Sequence, residues 1–452
     1  MVEMKGKNVL VVGMARSGVA AAQMLSRLGA KLTLTDTRTR EQMKPAIEQL
    51  KDIQADWRLG TEPDDLIQGK DYIVLSPSVY YWAPWVEKAK QNGTVVISEL
   101  QLGAWFTKGD FISITGTNGK TTTTTLVGEI FKNNASRTHV LGNIGVPVCT
   151  EALDTRPGDV IVCETAPFMT VGNLDFRPKV SAILNLTEDH LNYFGTMENY
   201  INCKKKVYEN QRGEDVCILN ADDPRVVALR DEPKCRVLYF SRTQNIIQGA
   251  CIKHGEIIVR IGRKDTPIMR ADEVKIPGPH NLENALAAVL CAYVMGVKPE
   301  IIRHTLMTFA GVEHRIETVR EVNGVTYIND SKATNPDSTI KAIQAMTKPT
   351  VLILGGSNKN SDYMPMFRAF TKYIQSIVVV GETSEQILSA AKTAGFISVH
   401  RAYTFEEAVQ KARHLASPGM NVLLSPACAS FDMFDNFEQR GAVFKRIVME
   451  LK

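Results

Sequence analysis

Residues 111–121 read FISITGTNGKT, and residues 122–133 continue as TTTTLVGEIFKN. An apolar run, a glycine turn and a longer segment predict a strand, a tight loop and a helix, in that order. Glycines let backbone N–H groups approach phosphate oxygens, and a helix N-terminus adds partial positive charge. Lys120 can reach the β- and γ-phosphates of a nucleotide, and Thr121 can offer a hydroxyl to Mg²⁺. The stretch therefore predicts a phosphate-binding loop.

The match to the pattern G-x-x-x-x-G-K-[ST] is incomplete, because its first glycine would fall at position 114, which is Ile. A glycine turn beside an incidental lysine is the alternative. The preceding strand and the following helix favour the phosphate loop, since that is the context that the motif requires.

Outward from this loop, short apolar runs alternate with longer helical patterns along the chain. This rhythm predicts an α/β protein with parallel sheets. A length of 452 residues suggests about three domains. We expect boundaries that give residues 1–107, 108–311 and 312–452, because a fresh strand begins after position 108 and a glycine precedes a new segment at 311.

Composition limits the class of protein. The net charge is only +4, so nucleic-acid binding gains little support. We find neither an apolar run of about 18 residues nor a signal peptide, and we expect no membrane span. Eight cysteines without a Cys-x-x-Cys pair indicate buried thiols in a reducing compartment, which favours the cytoplasm.

Four later segments carry a family resemblance: GPHNLEN at 278–284, FAGVEHRIE at 309–317, DSKATN at 330–335 and LLSPACASFDMFDNFEQRG at 423–441. With the phosphate loop, they resemble the Mur ligases of peptidoglycan synthesis over nearly the whole chain. Folylpolyglutamate synthases carry a similar loop. The resemblance implies a Rossmann-like N-terminal domain that binds a UDP-substrate, a central P-loop ATPase-like domain, and a Rossmann-like C-terminal domain that binds an incoming amino acid.

The activity that the resemblance implies is addition of D-glutamate to UDP-N-acetylmuramoyl-L-alanine through an acyl phosphate. The expected cofactors are ATP and Mg²⁺. The expected partners are these small molecules alone, with neither nucleic acid nor membrane, and the expected form is a cytoplasmic monomer.

In the N-terminal domain, residues 9–18 read VLVVGMARSG, and Ala15 replaces the middle glycine of a dinucleotide fingerprint. This substitution argues against an NAD site. The resemblance implies that Asp36 and Thr37 contact uracil and that Arg16 and Ser17 lie near the diphosphate. The alternative is a glycine turn that only packs a helix.

The ATP-binding set that the resemblance implies comprises the phosphate loop and four residues beyond it: Gly116, Thr117, Asn118, Gly119, Lys120, Thr121, Thr122, Asn281, Asn284, Arg315 and Asp330. The two asparagines lie three residues apart on a helix and so share a face, suited to adenine. Helix capping is the alternative role for asparagine.

The catalytic set implied by the family is Lys120, Glu164, His190 and Lys204, and the metal ligands are Thr121, Glu164, His190 and Lys204. Carboxylate oxygens are the ligands that Mg²⁺ prefers. Lys204 matches a lysine that is carbamylated in the family, which would turn a cation into an anionic ligand. A solvated helix face with three successive lysines is the alternative.

The remaining contacts concern the two substrates. The resemblance places Asn143 at the acyl end of the UDP-substrate, and it places Thr334, Lys359, Ser425 and Phe431 around D-glutamate. A basic group suits an amino acid with two carboxylates.

Several positions depart from the family pattern on the muramoyl side: Ser78, Ala166, Pro167, Met169, Asn192 and Phe194. The family has Gly at position 78, Ser at 166 and 167, Gln at 169, Asp at 192 and His at 194. The last five changes remove hydroxyl, amide, carboxylate and imidazole groups, so we expect weaker binding of the muramoyl substrate or a changed acyl donor. Positions just outside the pocket, with compensating changes, are the alternative. Three rival functions remain: a Mur-like ligase of other specificity, a non-catalytic ATP-binding descendant, and a dinucleotide-dependent oxidoreductase.

Overall fold

A computed structural model describes residues 2–358 and 361–452, with every side chain in those ranges except that of Asn192. Within these ranges the strands form sheets of five, nine and six strands. The contacts divide the chain into two compact units. The first contains the chain up to Val274 together with Leu282–Thr308, and the second contains Lys275–Asn281 and Phe309–Lys452.

The five-stranded sheet belongs to the first unit and is parallel throughout, in the order β3-β2-β1-β4-β5. Its strands are β1 (Asn8–Val12), β2 (Lys31–Asp36), β3 (Ala55–Leu59), β4 (Tyr72–Leu75) and β5 (Val95–Ser98). Its helices are α1 (Arg16–Arg27), α2 (Lys44–Gln49), α3 (Pro84–Gln91) and α4 (Glu99–Phe106). The apolar residues of β1 are buried on both faces, as a central parallel strand requires.

The nine-stranded sheet also belongs to the first unit, in the order β14-β13-β12-β11-β10-β9-β6-β8-β7. Its strands are β6 (Asp110–Thr115), β7 (Thr138–Gly142), β8 (Val160–Glu164), β9 (Val180–Ile183), β10 (Val216–Asn220), β11 (Arg236–Ser241), β12 (Gly249–Lys253), β13 (Glu256–Ile261) and β14 (Lys264–Arg270). The pairs from β7 to β12 are parallel, and β13 and β14 add an antiparallel edge.

The helices of this segment are α5 (Lys120–Asn133), α6 (Val148–Glu151), α7 (Pro167–Thr170), α8 (Leu191–Phe194), α9 (Met197–Lys205), α10 (Pro224–Val227), α11 (Pro279–Val294) and α12 (Pro299–Thr308). Strand β6 lies between β8 and β9 and runs parallel to both. The carboxyl ends of these three strands therefore meet at one edge of the sheet, where α/β proteins bind ligands.

The six-stranded sheet belongs to the second unit, in the order β15-β16-β20-β17-β18-β19. Its strands are β15 (Glu317–Val322), β16 (Val325–Asn329), β17 (Thr350–Leu354), β18 (Ile374–Val379), β19 (Val399–Arg401) and β20 (Asn421–Leu424), and only β15 is antiparallel to its neighbour. Its helices are α13 (Pro336–Ala345), α14 (Met364–Arg368), α15 (Ser384–Thr393), α16 (Phe405–Leu415) and α17 (Phe437–Glu450).

The predicted α/β class with parallel sheets is confirmed, since three such sheets alternate with helices along the chain. The first two sheets share one compact unit, so the boundary expected at residue 107 stays a prediction. In the described part of the chain, no helix combines the length and the apolar character needed to cross a membrane.

Candidate active site

The phosphate loop joins β6 to α5, as the sequence predicts. Gly119 has a φ of +85°, and a Cβ added there would lie 2.3 Å from the side-chain oxygen of Asn284, so only glycine fits. The backbone N–H of Asn118 donates to Asn185 Oδ1 over 2.8 Å, and Asn185 Nδ2 donates to the Asn118 carbonyl over 3.0 Å. This asparagine follows the end of β9 and fixes the loop. The sequence analysis missed it, although its place at a strand end was a usable signal.

Two lysines meet at the carbonyl oxygen of Gly116. Lys120 Nζ donates to it over 2.9 Å and Lys204 Nζ over 2.8 Å. The Lys204 side chain is fully buried, and burial followed by repulsion from Lys120 lowers its pKa well below the usual value. Lys204 therefore does not lie on a solvated helix face, and its environment favours the neutral amine.

Glu164 ends β8 beside the loop, with its Cα opposite that of Ile114 in β6. Its Oε1 accepts a hydrogen bond from Asn143 Nδ2 over 2.7 Å. Its Oε2 is buried and has no hydrogen-bond partner among the residues that the structure describes. A buried carboxylate oxygen without a partner is costly, and a bound cation would satisfy it. This donor therefore fits Mg²⁺.

Two further candidates for metal ligands are His190 and Thr121. His190 has a left-handed φ of +52°, is half-exposed, and packs its ring 4.8 Å from that of Phe168. Thr121 is buried at the start of α5. Across residues 2–358 and 361–452, no three His, Cys, Asp or Glu side chains group as a metal site.

The two asparagines of the predicted adenine site differ in their contacts. Asn284 Oδ1 accepts from Thr123 Oγ1 over 3.3 Å, beside the phosphate loop. Asn281 Nδ2 donates to the Pro277 carbonyl over 2.7 Å. His280, which directly precedes Asn281, has its pKa lowered to about 4 by burial and then by Arg315 and Lys341. The ring is therefore neutral near pH 7.

At the five-stranded sheet, Asp36 is buried at the end of β2. It accepts from the backbone N–H of Met14 over 2.7 Å and from Arg38 Nη2 over 2.8 Å. Burial alone would raise its pKa, but the hydrogen bonds from Arg38 and Met14 lower it to about 2. Thr37 is exposed and Ser17 is half-buried. Arg16 is exposed and donates to the Gly145 carbonyl.

In the second unit, Asp330 follows β16 and Ser425 follows β20, its neighbour. Ser425 Oγ donates to Asp330 Oδ2 over 2.6 Å, and the Ile316 N–H donates to Asp330 Oδ1 over 3.2 Å. Burial raises the pKa of Asp330 to about 7, although Ser425 and Arg315 oppose the shift. Ser425 is fully buried, so its hydroxyl positions Asp330 in this state of the protein.

The other residues predicted to contact D-glutamate are Thr334, Lys359 and Phe431. Phe431 is 72% exposed and Thr334 is half-buried. Lys359 lies outside the described residues. Arg315 is half-buried, next to His314, which has a positive φ of +63°.

Arg440 is a buried arginine that the sequence analysis did not single out. Its Nε donates to Ser331 Oγ over 3.0 Å, and its Nη atoms donate to the carbonyls of Ser331, Cys428 and Ala429 over 2.8 to 3.1 Å. It therefore ties the loop after Asp330 to the loop after Ser425. Ser331 lies 109 residues from Arg440 in the sequence, so no local pattern indicated this role.

The departures from the family pattern lie mostly in apolar surroundings. Ala166 and Met169 belong to an apolar cluster with Phe111 and Ile161. Phe194 belongs to a second cluster, with Tyr200. Pro167 is buried and Ser78 is exposed. The side chain of Asn192 is not described. The buried members pack against protein, which favours the alternative that compensating changes accompany them.

Three family models match the chain in succession. The N-terminal domain of MurD-like Mur ligases matches residues 7–98, the Mur ligase middle domain matches 114–292, and the glutamate ligase domain of Mur ligases matches 314–428. The boundaries expected at residues 107 and 311 lie outside all three matched segments and stay predictions.

Curated relatives match over the full length. Proteins named UDP-N-acetylmuramoylalanine–D-glutamate ligase are 43% identical in Thermoanaerobacter pseudethanolicus and 44% identical in Clostridioides difficile, each covering 100% of both chains. A protein of the same name from Alkaliphilus oremlandii is 44% identical over 99% of both chains.

Solved structures agree on the fold. A UDP-N-acetylmuramate–alanine ligase from Thermotoga maritima has a TM-score of 0.63 at 18% identity, covering 99% of this chain and 100% of its own. A pseudomurein peptide ligase from Methanothermus fervidus has a TM-score of 0.58 at 19% identity, with the same coverage.

Proposed function

The chain belongs to the Mur ligase family, and from this premise we propose that it joins D-glutamate to UDP-N-acetylmuramoyl-L-alanine at the expense of ATP. One observation carries the proposal: relatives with the name of that ligase match the chain from end to end at 43–44% identity. The oxidoreductase alternative is thereby excluded. The phosphate loop and the buried Lys204 support a working enzyme over a non-catalytic descendant.

The proposed reaction has two steps. The alanyl carboxylate attacks the γ-phosphorus of ATP, which forms an acyl phosphate and releases ADP. The amine of D-glutamate then attacks the acyl carbon, the tetrahedral intermediate expels phosphate, and an amide bond remains. Phosphorylation is needed because a free carboxylate would have to expel oxide. Catalysis of such transfers is mostly positioning and charge neutralisation.

We assign the phosphate chain of ATP to the loop from Gly116 to Thr122. Backbone N–H groups at the start of α5 and the ammonium of Lys120 would neutralise the transferring phosphate. Asn281 and Asn284 are assigned to adenine, and Arg315 and Asp330 to the ATP phosphates.

Magnesium would be held by Glu164, Thr121, His190 and a carbamate formed on Lys204. Bound there, it would supply positive charge to phosphate oxygens. The unpartnered Glu164 Oε2 supports the first of these ligands. Carbamylation requires a neutral amine that adds to CO₂, and the burial of Lys204 favours that form.

The UDP-substrate is assigned to the five-stranded sheet through Arg16, Ser17, Asp36 and Thr37, with Asn143 at its acyl end. D-glutamate is assigned to Thr334, Lys359 and Phe431, with Ser425 behind Asp330. All of these residues belong to one chain, so a monomer suffices. A dependence on ATP and eight cysteines, all free, fit the cytoplasm.

Trapping the activated acyl group tests the proposal. Hydroxylamine replaces D-glutamate in a mixture of enzyme, ATP, Mg²⁺ and UDP-N-acetylmuramoyl-L-alanine. Its attack on the acyl phosphate should yield a hydroxamate and phosphate, only when ATP is present. Amide formation with D-glutamate but no ATP-dependent hydroxamate would contradict the acyl phosphate.

A further inference from the structure

Aromatic residues from three separate loops meet in the first unit. The loop after β4 supplies Tyr80 and Trp82, α7 supplies Phe168, and α8 supplies Tyr193 and Phe194. The Tyr193 ring centroid lies 5.3 Å from that of Tyr80, 5.9 Å from Trp82 and 4.8 Å from Phe168. These are the three segments in which the sequence departs from the family pattern, and Phe194 is the departure that belongs to this group of rings.

Tyr193 fixes this cluster to the five-stranded sheet. Its hydroxyl donates to the Val79 carbonyl over 2.8 Å and accepts from the Tyr81 N–H over 3.3 Å. Burial raises the pKa of Tyr193 to about 12, so it keeps its donor proton at physiological pH. The loop from 79 to 82 is therefore held in one place.

Two rings of the cluster face solvent. Tyr80 is 49% exposed and Trp82 is 43% exposed, and their centroids lie 5.7 Å apart. We call this pair the aromatic platform. Large exposed aromatic groups held rigidly by packing are typical of binding surfaces, because they offer contact area at little cost in conformational entropy.

The platform lies between two ends of the proposed substrate site. On one side, its loop packs on the glycine turn after β1: Ser76 Oγ donates to the Gly13 carbonyl, and a Cβ added at Gly13 would lie 3.0 Å from Val79 Cγ2. On the other side, Phe168 contacts both Tyr193 and His190, each at 4.8 Å between ring centroids. Contacts therefore run from the turn proposed to bind the diphosphate, through the loop of the platform, to Phe168 and His190 at the proposed reaction centre.

The substrate has the same order of parts: diphosphate, sugar ring, acyl group. We propose that Tyr80 and Trp82 bind the pyranose ring of the UDP-sugar by stacking on its apolar C–H face. This inference rests on the proposed function for the identity of the sugar. The apolar face of a pyranose complements an aromatic ring, while the Tyr80 hydroxyl and the Trp82 indole N–H can bond to its hydroxyl groups.

Binding measurements test this without turnover. Calorimetry gives the Kd of UDP and of UDP-N-acetylmuramoyl-L-alanine for the parent, Trp82→Ala, Tyr80→Ala and Trp82→Phe. We expect the parent to prefer the sugar nucleotide. Each alanine variant should weaken that ligand roughly 3- to 10-fold, in line with a lost aromatic contact, and leave UDP unchanged. Trp82→Phe should retain most of the affinity.

Tyr403→Ala is the matched control, since Tyr403 is 76% exposed in the second unit and is no part of the proposed site. Melting curves show whether each variant is folded. If Trp82→Ala is unfolded, the binding data for Tyr80→Ala decide the test. Three results would overturn the proposed role of the platform. Both alanine variants could keep the parental preference for the sugar nucleotide, they could lose as much affinity for UDP as for the sugar nucleotide, or the parent could show no preference between the two ligands. A parent that prefers the sugar nucleotide but forms no amide would contradict the proposed function and not the platform.

Discussion

Lys120 and Lys132 lie at opposite ends of α5. Variants at the two positions therefore distinguish an effect on catalysis from an effect on the stability of the helix. Lys120 Nζ contacts two loop carbonyls at the proposed phosphate site, whereas Lys132 pairs with Glu129 at the surface. Lys120→Ala should lower kcat on the order of 100-fold or more, because it removes a preorganised charge from the transferring phosphate. Lys132→Ala should keep parental rates. A folded Lys120→Ala with parental turnover would remove the phosphate-loop assignment.

A variant at Lys204 tests whether a carbamate on this residue is needed for activity. Lys204→Ala should be inactive, and acetate should restore part of the activity by placing a carboxylate where the carbamate would stand. Lys206→Ala is the control, since Lys206 follows the same helix, is half-buried and lies near Glu209. Initial rates with and without acetate measure the effect. Full activity of Lys204→Ala without acetate would refute the role.

The buried carboxyl group of Glu99 should make the free energy of unfolding depend on pH. It is buried at the start of α4 and accepts from the Cys149 N–H over 2.6 Å. Burial raises its pKa from 4.5 to about 7, against the opposing hydrogen bond. Because the folded value is the higher one, the folded state binds the proton more tightly. The stabilisation is complete below the unfolded pKa and is lost as the pH rises through the folded pKa.

Glu99→Gln keeps the acceptor oxygen and cannot ionise. Its Tm relative to the parent should therefore rise between about pH 5 and about pH 8, as the parent acquires a buried charge. Melting curves of both proteins at the two pH values measure this. The same difference in Tm at both values would contradict the account.

At the scale of elements, the packing of the segments after β8 and β9 predicts what happens when the family residues are restored there. Met169 and Phe194 are 4% and 2% exposed inside apolar clusters. Met169→Gln and Phe194→His would bury polar groups without prepared partners, which costs about 1–3 kcal/mol each. Joined with Ala166→Ser, Pro167→Ser and Asn192→Asp, they should lower Tm and leave kcat/KM for the UDP-substrate no higher.

Ser78→Gly is the control for this combination, because it restores the family glycine at an exposed position. Kinetics for each substrate, beside melting curves, separate the two effects. A stable combined variant with a selective gain toward the UDP-substrate would show that these side chains face the substrate after all.

The strand, loop and helix around Lys120 could be predicted because their signals are local. An apolar run before glycines gave β6, and the helix follows directly at Lys120. The carbonyl partners of Arg440 and the ring contacts of Tyr193 could not be predicted. The bond from Arg440 to Ser331 and the contact of Tyr193 with Tyr80 join residues far apart in the chain, and only the folded sheets bring them together. The same holds for the Ser425 bond to Asp330.

At the scale of the molecule, each of the three sheets offers the carboxyl ends of parallel strands, and the residues assigned to a substrate cluster there. Asp36 ends β2, Glu164 ends β8, and Ser425 follows β20. Sequence resemblance could assign the residues to three ligands because the family motifs sit at these ends. The resemblance could not tell which residues contact a ligand and which only hold a neighbouring side chain in place, because that distinction depends on burial.

The most direct test of the whole account is phosphate release from ATP. The complete mixture contains the enzyme, ATP, Mg²⁺, UDP-N-acetylmuramoyl-L-alanine and D-glutamate, and each omission lacks one component. We predict sustained release, matched one for one by a new amide product, only when every component is present. Sustained release without either substrate, or complete mixtures that release no phosphate with folded protein, would contradict the assignment of this chain as a D-glutamate-adding ligase.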